Sequence, residues 1–81
     1  MTDAPSLAGI LTAARLTLGW TIEQAAEETG LLPEYVEFAE AGQIRQPGLE
    51  SLRRFAVAYG IDMGDLMIAA GHLPPRPLPP W

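Results

Sequence analysis

The sequence predicts an all-α fold, a compact five-helix bundle followed by a proline-rich C-terminal tail. Three observations predict it. Apolar residues recur at helical spacing along five segments, and no segment alternates apolar with polar residues as a half-buried strand does. Glycines close the segments, at Gly19, Gly30, Gly42, Gly60 and Gly71, where a helix end favours a residue without Cβ. Side chains that cap helix starts precede several of them, at Ser6, Thr21 and Asp62. The expected division is a five-helix domain over residues 1–74 and a tail over residues 75–81.

The first helix runs from about Ser6 to Leu18, with Leu7, Ile10, Leu11, Ala14 and Leu18 at helical spacing and Arg15 at the border of that stripe. Pro5 and Ser6 supply its start and Gly19 its stop. The second begins at Thr21. Thr21-Ile22-Glu23-Gln24 has the form of a capping box, in which the threonine oxygen takes the Gln24 amide and the glutamine side chain reaches back. Ala25 and Ala26 are small enough to let another helix approach closely, and Gly30 suits a left-handed helix end. Only Leu31 and Leu32 separate this helix from Pro33, placed at a first helical position.

The third helix spans Pro33 to Ala41 and ends at Gly42. The loop "GQIRQPG" leads to the fourth, Leu49 to Tyr59, whose Leu52, Phe55, Ala56 and Tyr59 fall on one face before Gly60 closes it. The fifth starts after Asp62 and ends near Gly71. The last ten residues, "HLPPRPLPPW", hold five of the eight prolines and predict extended, polyproline-like backbone.

Composition narrows the function. Eighty-one residues with 48% apolar content suit one small domain with its own core. There is no cysteine, hence no disulfide framework or thiol chemistry. No basic n-region with an apolar run opens the chain, and no apolar segment approaches the roughly 20 residues of a membrane helix, so no membrane role and a cytoplasmic location are expected. The one histidine, His72, follows a glycine and reads as a helix-end residue with a solvated ring. Without a glycine-rich phosphate loop or a metal-spaced cluster, the chain is not expected to be an enzyme, and neither cofactor nor metal is expected. Five arginines, no lysine and ten carboxylates give a net charge of −5, which weighs against the basic footprint usual for nucleic-acid binders.

Two short helices joined by a glycine-containing turn, with one helix before and two after, resemble the phage repressor and Cro type of helix-turn-helix domain, the XRE family. The resemblance covers about Leu7 to Pro74. It is carried, in register and without a gap, by Arg15, Gly19, Thr21, Ala26, Gly30, Val36, Glu40, Gly42, Pro47, Leu52, Ala56, Gly60, Leu66 and Gly71. It implies a structural ion pair between Arg15 and Glu40, linking the first and third helices.

The resemblance also implies a transcriptional regulator that binds DNA as a dimer, with Thr21 near a phosphate and the third helix in the major groove. The groove-facing positions fall on Pro33, Glu34 and Phe38, flanked by Tyr35 and Glu37. Where the family commonly has a glutamine after the capping threonine, this chain has Ile22. No side chain there pairs bidentately with guanine or adenine, and from Leu16 to Ile44 there is no basic residue. The donors that remain include Gln43, Arg45 and Gln46, at loop positions that contact phosphate in the family. A second reading therefore stands beside the first: the same fold serves as a protein-interaction module. In it Ile22, Leu32, Tyr35 and Phe38 form an exposed patch, rimmed by glutamates, that meets a partner with a basic surface. The alternative for those four side chains is that some turn into the core. A homodimer is expected through the fifth helix and tail, with Met63, Met67 and Trp81 as contacts, unless the tail covers its own domain.

Overall fold

The structure, a computed structural model, describes residues 6–44 and 46–74. Among these residues the chain forms five α-helices and no strand: α1 (Leu7–Leu18), α2 (Ile22–Thr29), α3 (Pro33–Glu40), α4 (Leu49–Tyr59) and α5 (Met63–Ala69). The tail after Pro74 lies outside the described residues.

Local chemistry sets the starts. Ser6 Oγ accepts the Gly9 amide at 3.0 Å, and Asp62 Oδ1 accepts the Asp65 amide at 3.0 Å. At Thr21 both halves of the capping box form: Thr21 Oγ1 accepts the Gln24 amide at 3.1 Å and the Thr21 amide donates to Gln24 Oε1 at 2.8 Å. Ser6 and Thr21 thus stand just outside their helices, because a cap uses its side chain where a helical residue would use a preceding carbonyl. Ala41 likewise caps α3 rather than extending it. The ends at Gly19, Gly30 and Gly60 have φ of 74°, 74° and 70°, a left-handed conformation that a Cβ resists.

The core sits where the helices converge. Phe55, Leu11, Leu52, Leu66, Val36 and Pro47 are fully buried, and burying a side chain of Phe or Leu size stabilises by about 1.5–3 kcal/mol. Helix α1 packs on α3 and α4, α2 on α3 and α4, and α5 on α4. Ala25, Ala26 and Ala39 are buried, and their small side chains let the short helices approach closely. Aromatic rings line one side of the core. Tyr35 stacks on Phe55 with centroids 6.5 Å apart, Phe55 meets Tyr59 edge-on at 5.4 Å, and Tyr59 meets Trp20 at 5.9 Å.

Polar side chains fix two connections. Thr29 is buried; its hydroxyl donates to the Ala25 carbonyl at 2.7 Å and accepts the Leu31 amide at 3.2 Å, tying the turn after α2 to that helix. The ring of His72 is half-buried rather than solvated, because its Nε2 lies 2.7 Å from the Pro47 carbonyl oxygen, to which it donates. That contact pins the last turn of the domain to the segment before α4.

Candidate functional site

The α2–turn–α3 unit is braced from two sides. From α1, Arg15 Nε donates to Glu40 Oε2 at 2.7 Å and Nη2 to Glu40 Oε1 at 2.9 Å, with only 14% and 9% of the two side chains exposed. Thr12 Oγ1 adds a hydrogen bond to Glu40 Oε1 at 3.1 Å, and Arg15 Nη1 reaches the Trp20 carbonyl at 2.8 Å. The bond to Glu40 raises the Arg15 pKa, against an opposing effect of burial. From α4, Arg54 Nη1 reaches the Thr29 carbonyl at 3.3 Å while its Nε pairs with Glu50 Oε2 at 3.1 Å. A cation at the end of α2 also suits the helix dipole. Arg53 pairs with the same glutamate at 2.9 Å, and that hydrogen bond is the largest influence holding the Glu50 carboxyl below its usual range.

The side chains expected to meet a partner divide by exposure. Glu34 and Glu37 are exposed, and Phe38 is 51% exposed. At positions i, i+3 and i+4 they share one face of α3. Leu32, the residue before α3, is 70% exposed, and Pro33 is half-buried. Ile22 and Tyr35 are not part of an open patch. Both are half-buried against the core, Tyr35 through its stack on Phe55, so of the four apolar side chains expected in the patch only Leu32 and Phe38 are exposed. Thr21 is exposed, with its hydroxyl engaged by the α2 start. Gln43 and Gln46 are exposed in the loop after α3, and Arg45 lies outside the described residues.

Every described arginine is held by a carboxylate: Arg15 by Glu40, and Arg53 and Arg54 by Glu50. Glu23, Glu27, Glu28, Glu34 and Glu37 are exposed on α2 and α3 with no ion-pair partner among the described residues. The face is acidic. At the far end of the molecule's chain order, Met63 and Met67 of α5 are half-buried against their own core, and Trp81 lies outside the described residues. Among the described residues no group of His, Asp and Glu is arranged to hold a metal ion, and no helix is long and apolar enough to cross a membrane.

A family model described as helix-turn-helix matches residues 11–66, more than half of the chain, and runs from within α1 into α5, enclosing the braced α2–α3 unit. The chain belongs to the XRE-type helix-turn-helix family. This family comprises DNA-binding regulators rather than enzymes. No curated protein and no solved structure matches the chain significantly.

Among the contacts that the sequence did not foretell, two span 25 residues. The Arg54 contact with the Thr29 carbonyl had half a signal, since Glu50 and Arg54 stand at i, i+4 on α4; its other half spans 25 residues and leaves no local trace. The His72 contact with Pro47, also 25 residues apart, left none.

Proposed function

We propose that this chain is a small transcriptional regulator that places its helix-turn-helix unit on DNA as a homodimer, with an atypically acidic and apolar reading helix. The observation that carries the reading is the intact two-helix unit. Its angle is fixed by the Arg15–Glu40 pair and by Thr29, and its α2 start is ordered by a complete capping box. Rigid presentation of two helix starts is what a duplex requires of this scaffold, because backbone amides in a first turn hold phosphate without side-chain charge.

In this reading Thr21, Pro33, Glu34, Glu37 and Phe38 face the duplex beside the exposed edges of the half-buried Ile22 and Tyr35, and Gln43, Arg45 and Gln46 meet its backbone. Glutamate accepts from the cytosine amino group and phenylalanine touches a thymine methyl, so the α3 face carries a narrow base preference. Phosphate contacts are few, so one domain binds weakly and a second copy supplies the affinity. That second copy joins through α5 and the tail, with Met63, Met67 and Trp81 at the contact. A regulator of this kind works beside the chromosome, in the cytoplasm.

Selection from a random duplex library at low salt tests the reading. Enrichment of a palindrome with half-sites about one helical turn apart supports a dimeric regulator. Retention of no duplex at low salt overturns it.

A further inference from the structure

The exposed face of α3 brings carboxylates and an aromatic ring together. Glu34, Glu37 and Phe38 lie together on that face, with Phe38 51% exposed. A half-exposed phenylalanine between two carboxylates is apolar surface that gains by being covered. Its surroundings say by what. The carboxylates of α2 and α3 other than Glu40 have no ion-pair partner among the described residues, and from Leu16 to Ile44 the sequence has no basic residue.

A second copy of this chain is a poor occupant, since it carries a net charge of −5 and its described arginines are already paired. Phosphates of DNA or of an anionic membrane meet the same repulsion. A partner with fixed positive charge meets attraction instead. We propose that the α3 face docks a basic protein segment, an arginine-rich stretch carrying one large apolar side chain. That side chain packs on Phe38 while its flanking arginines pair with Glu34 and Glu37. Tyr35, one turn from Phe38, is already stacked on Phe55, so docking orders little of the domain itself. The same face serves one occupant at a time, so a docked segment excludes DNA from α3.

The test is titration of the full chain, followed by amide chemical shifts, with a synthetic peptide in which one tryptophan is flanked on both sides by arginines. The expected result is shifts centred on Glu34, Glu37 and Phe38. A peptide of equal charge with glycine for tryptophan should bind about tenfold more weakly, and Phe38→Ala should cost a similar factor. Glu34→Gln with Glu37→Gln should mainly slow association. Phe38 is a surface side chain, so an unchanged melting temperature shows that its variant is folded. Shifts spread evenly over Asp62, Asp65 and α2, or equal binding of the glycine peptide, would overturn the proposal. Duplex DNA titrated in parallel separates the two readings. DNA binding without peptide binding removes the docking site and leaves the regulator; peptide binding without DNA binding does the reverse.

Discussion

Arg15 and Glu40 meet through two hydrogen bonds, of 2.7 and 2.9 Å, across the contact between α1 and α3. Both side chains are largely buried, and each has a further partner, Trp20 O for the arginine and Thr12 Oγ1 for the glutamate. Removing one ion therefore strands the other. Arg15→Ala should destabilise the fold by roughly 2–4 kcal/mol, because an uncompensated buried charge costs more than the intact pair contributes. Arg15→Met with Glu40→Leu should recover much of the loss. Urea denaturation checks both, and equal midpoints for wild type and Arg15→Ala would refute the argument.

Close to this pair, the Tyr59 hydroxyl is buried and has no hydrogen-bond partner among the described residues. Its pKa is pushed up to about 12, chiefly by burial, with the Glu40 charge adding to the effect. Tyr59→Phe should thus change stability by less than about 1 kcal/mol, since no protein hydrogen bond is lost. Alkali gives a second readout. Below about pH 10 folded and unfolded chains both keep this proton; between there and about pH 12 the unfolded chain releases it first, and stability falls. Melting temperatures measured across that window should fall less steeply in Tyr59→Phe than in wild type.

Two glycines with the same backbone offer a controlled comparison. Gly19 and Gly30 both have φ of 74°, but a Cβ at Gly19 meets nothing within 4 Å, whereas one at Gly30 lies 2.6 Å from Arg54 Nη1. Gly19→Ala should cost about 1–2 kcal/mol from the left-handed backbone alone. Gly30→Ala should cost more, because it also pushes the guanidinium off the Thr29 carbonyl. In an Arg54→Ala background the two penalties should converge, and a thermal-melt cycle measures whether they do.

These bracing contacts mark the limit of what the sequence made legible. The capping box at Thr21 and the glycine stops are readable because each depends on residues three or four apart. Leu52, Phe55, Ala56 and Tyr59 share a face of α4 for the same reason, and all four are buried. The Arg15–Glu40 contact, 25 residues apart, was readable only through family register. Tyr35 beside Phe38 shows where reading stopped: neighbouring aromatics on a short helix, one stacked on Phe55 and one half exposed. Their difference is set by how α3 seats against the rest of the bundle, which no local pattern contains.

Charge neutralisation on the reading helix should report DNA binding directly. Glu34→Gln with Glu37→Gln should strengthen non-specific duplex binding by removing repulsion from phosphates. Arg45→Ala should weaken binding to all sequences and lower the salt slope by about one unit. Fluorescence anisotropy over a salt series measures both, and unchanged affinity in both variants would remove α3 and its following loop from the DNA surface.

Assembly is expected to depend on the tail. Truncation after Pro74 removes Leu78 and Trp81 and should shift the monomer–dimer equilibrium toward monomer, while α5 keeps its packing on α4. Light scattering over a concentration series checks this, and a full-length chain that stays monomeric at high concentration ends the idea.

The hydrogen bond from His72 to Pro47 closes a ring of chain that contains all of α4 and α5. Helix termini fray before a domain unfolds, and here fraying of the last turn would release the anchor of the loop that bears Gln43 and Gln46. Events at the two places are therefore coupled. A ligand that holds the loop should slow hydrogen exchange at His72, whose amide bonds to the Met67 carbonyl, and a fusion that loosens the C-terminus should speed exchange around Pro47.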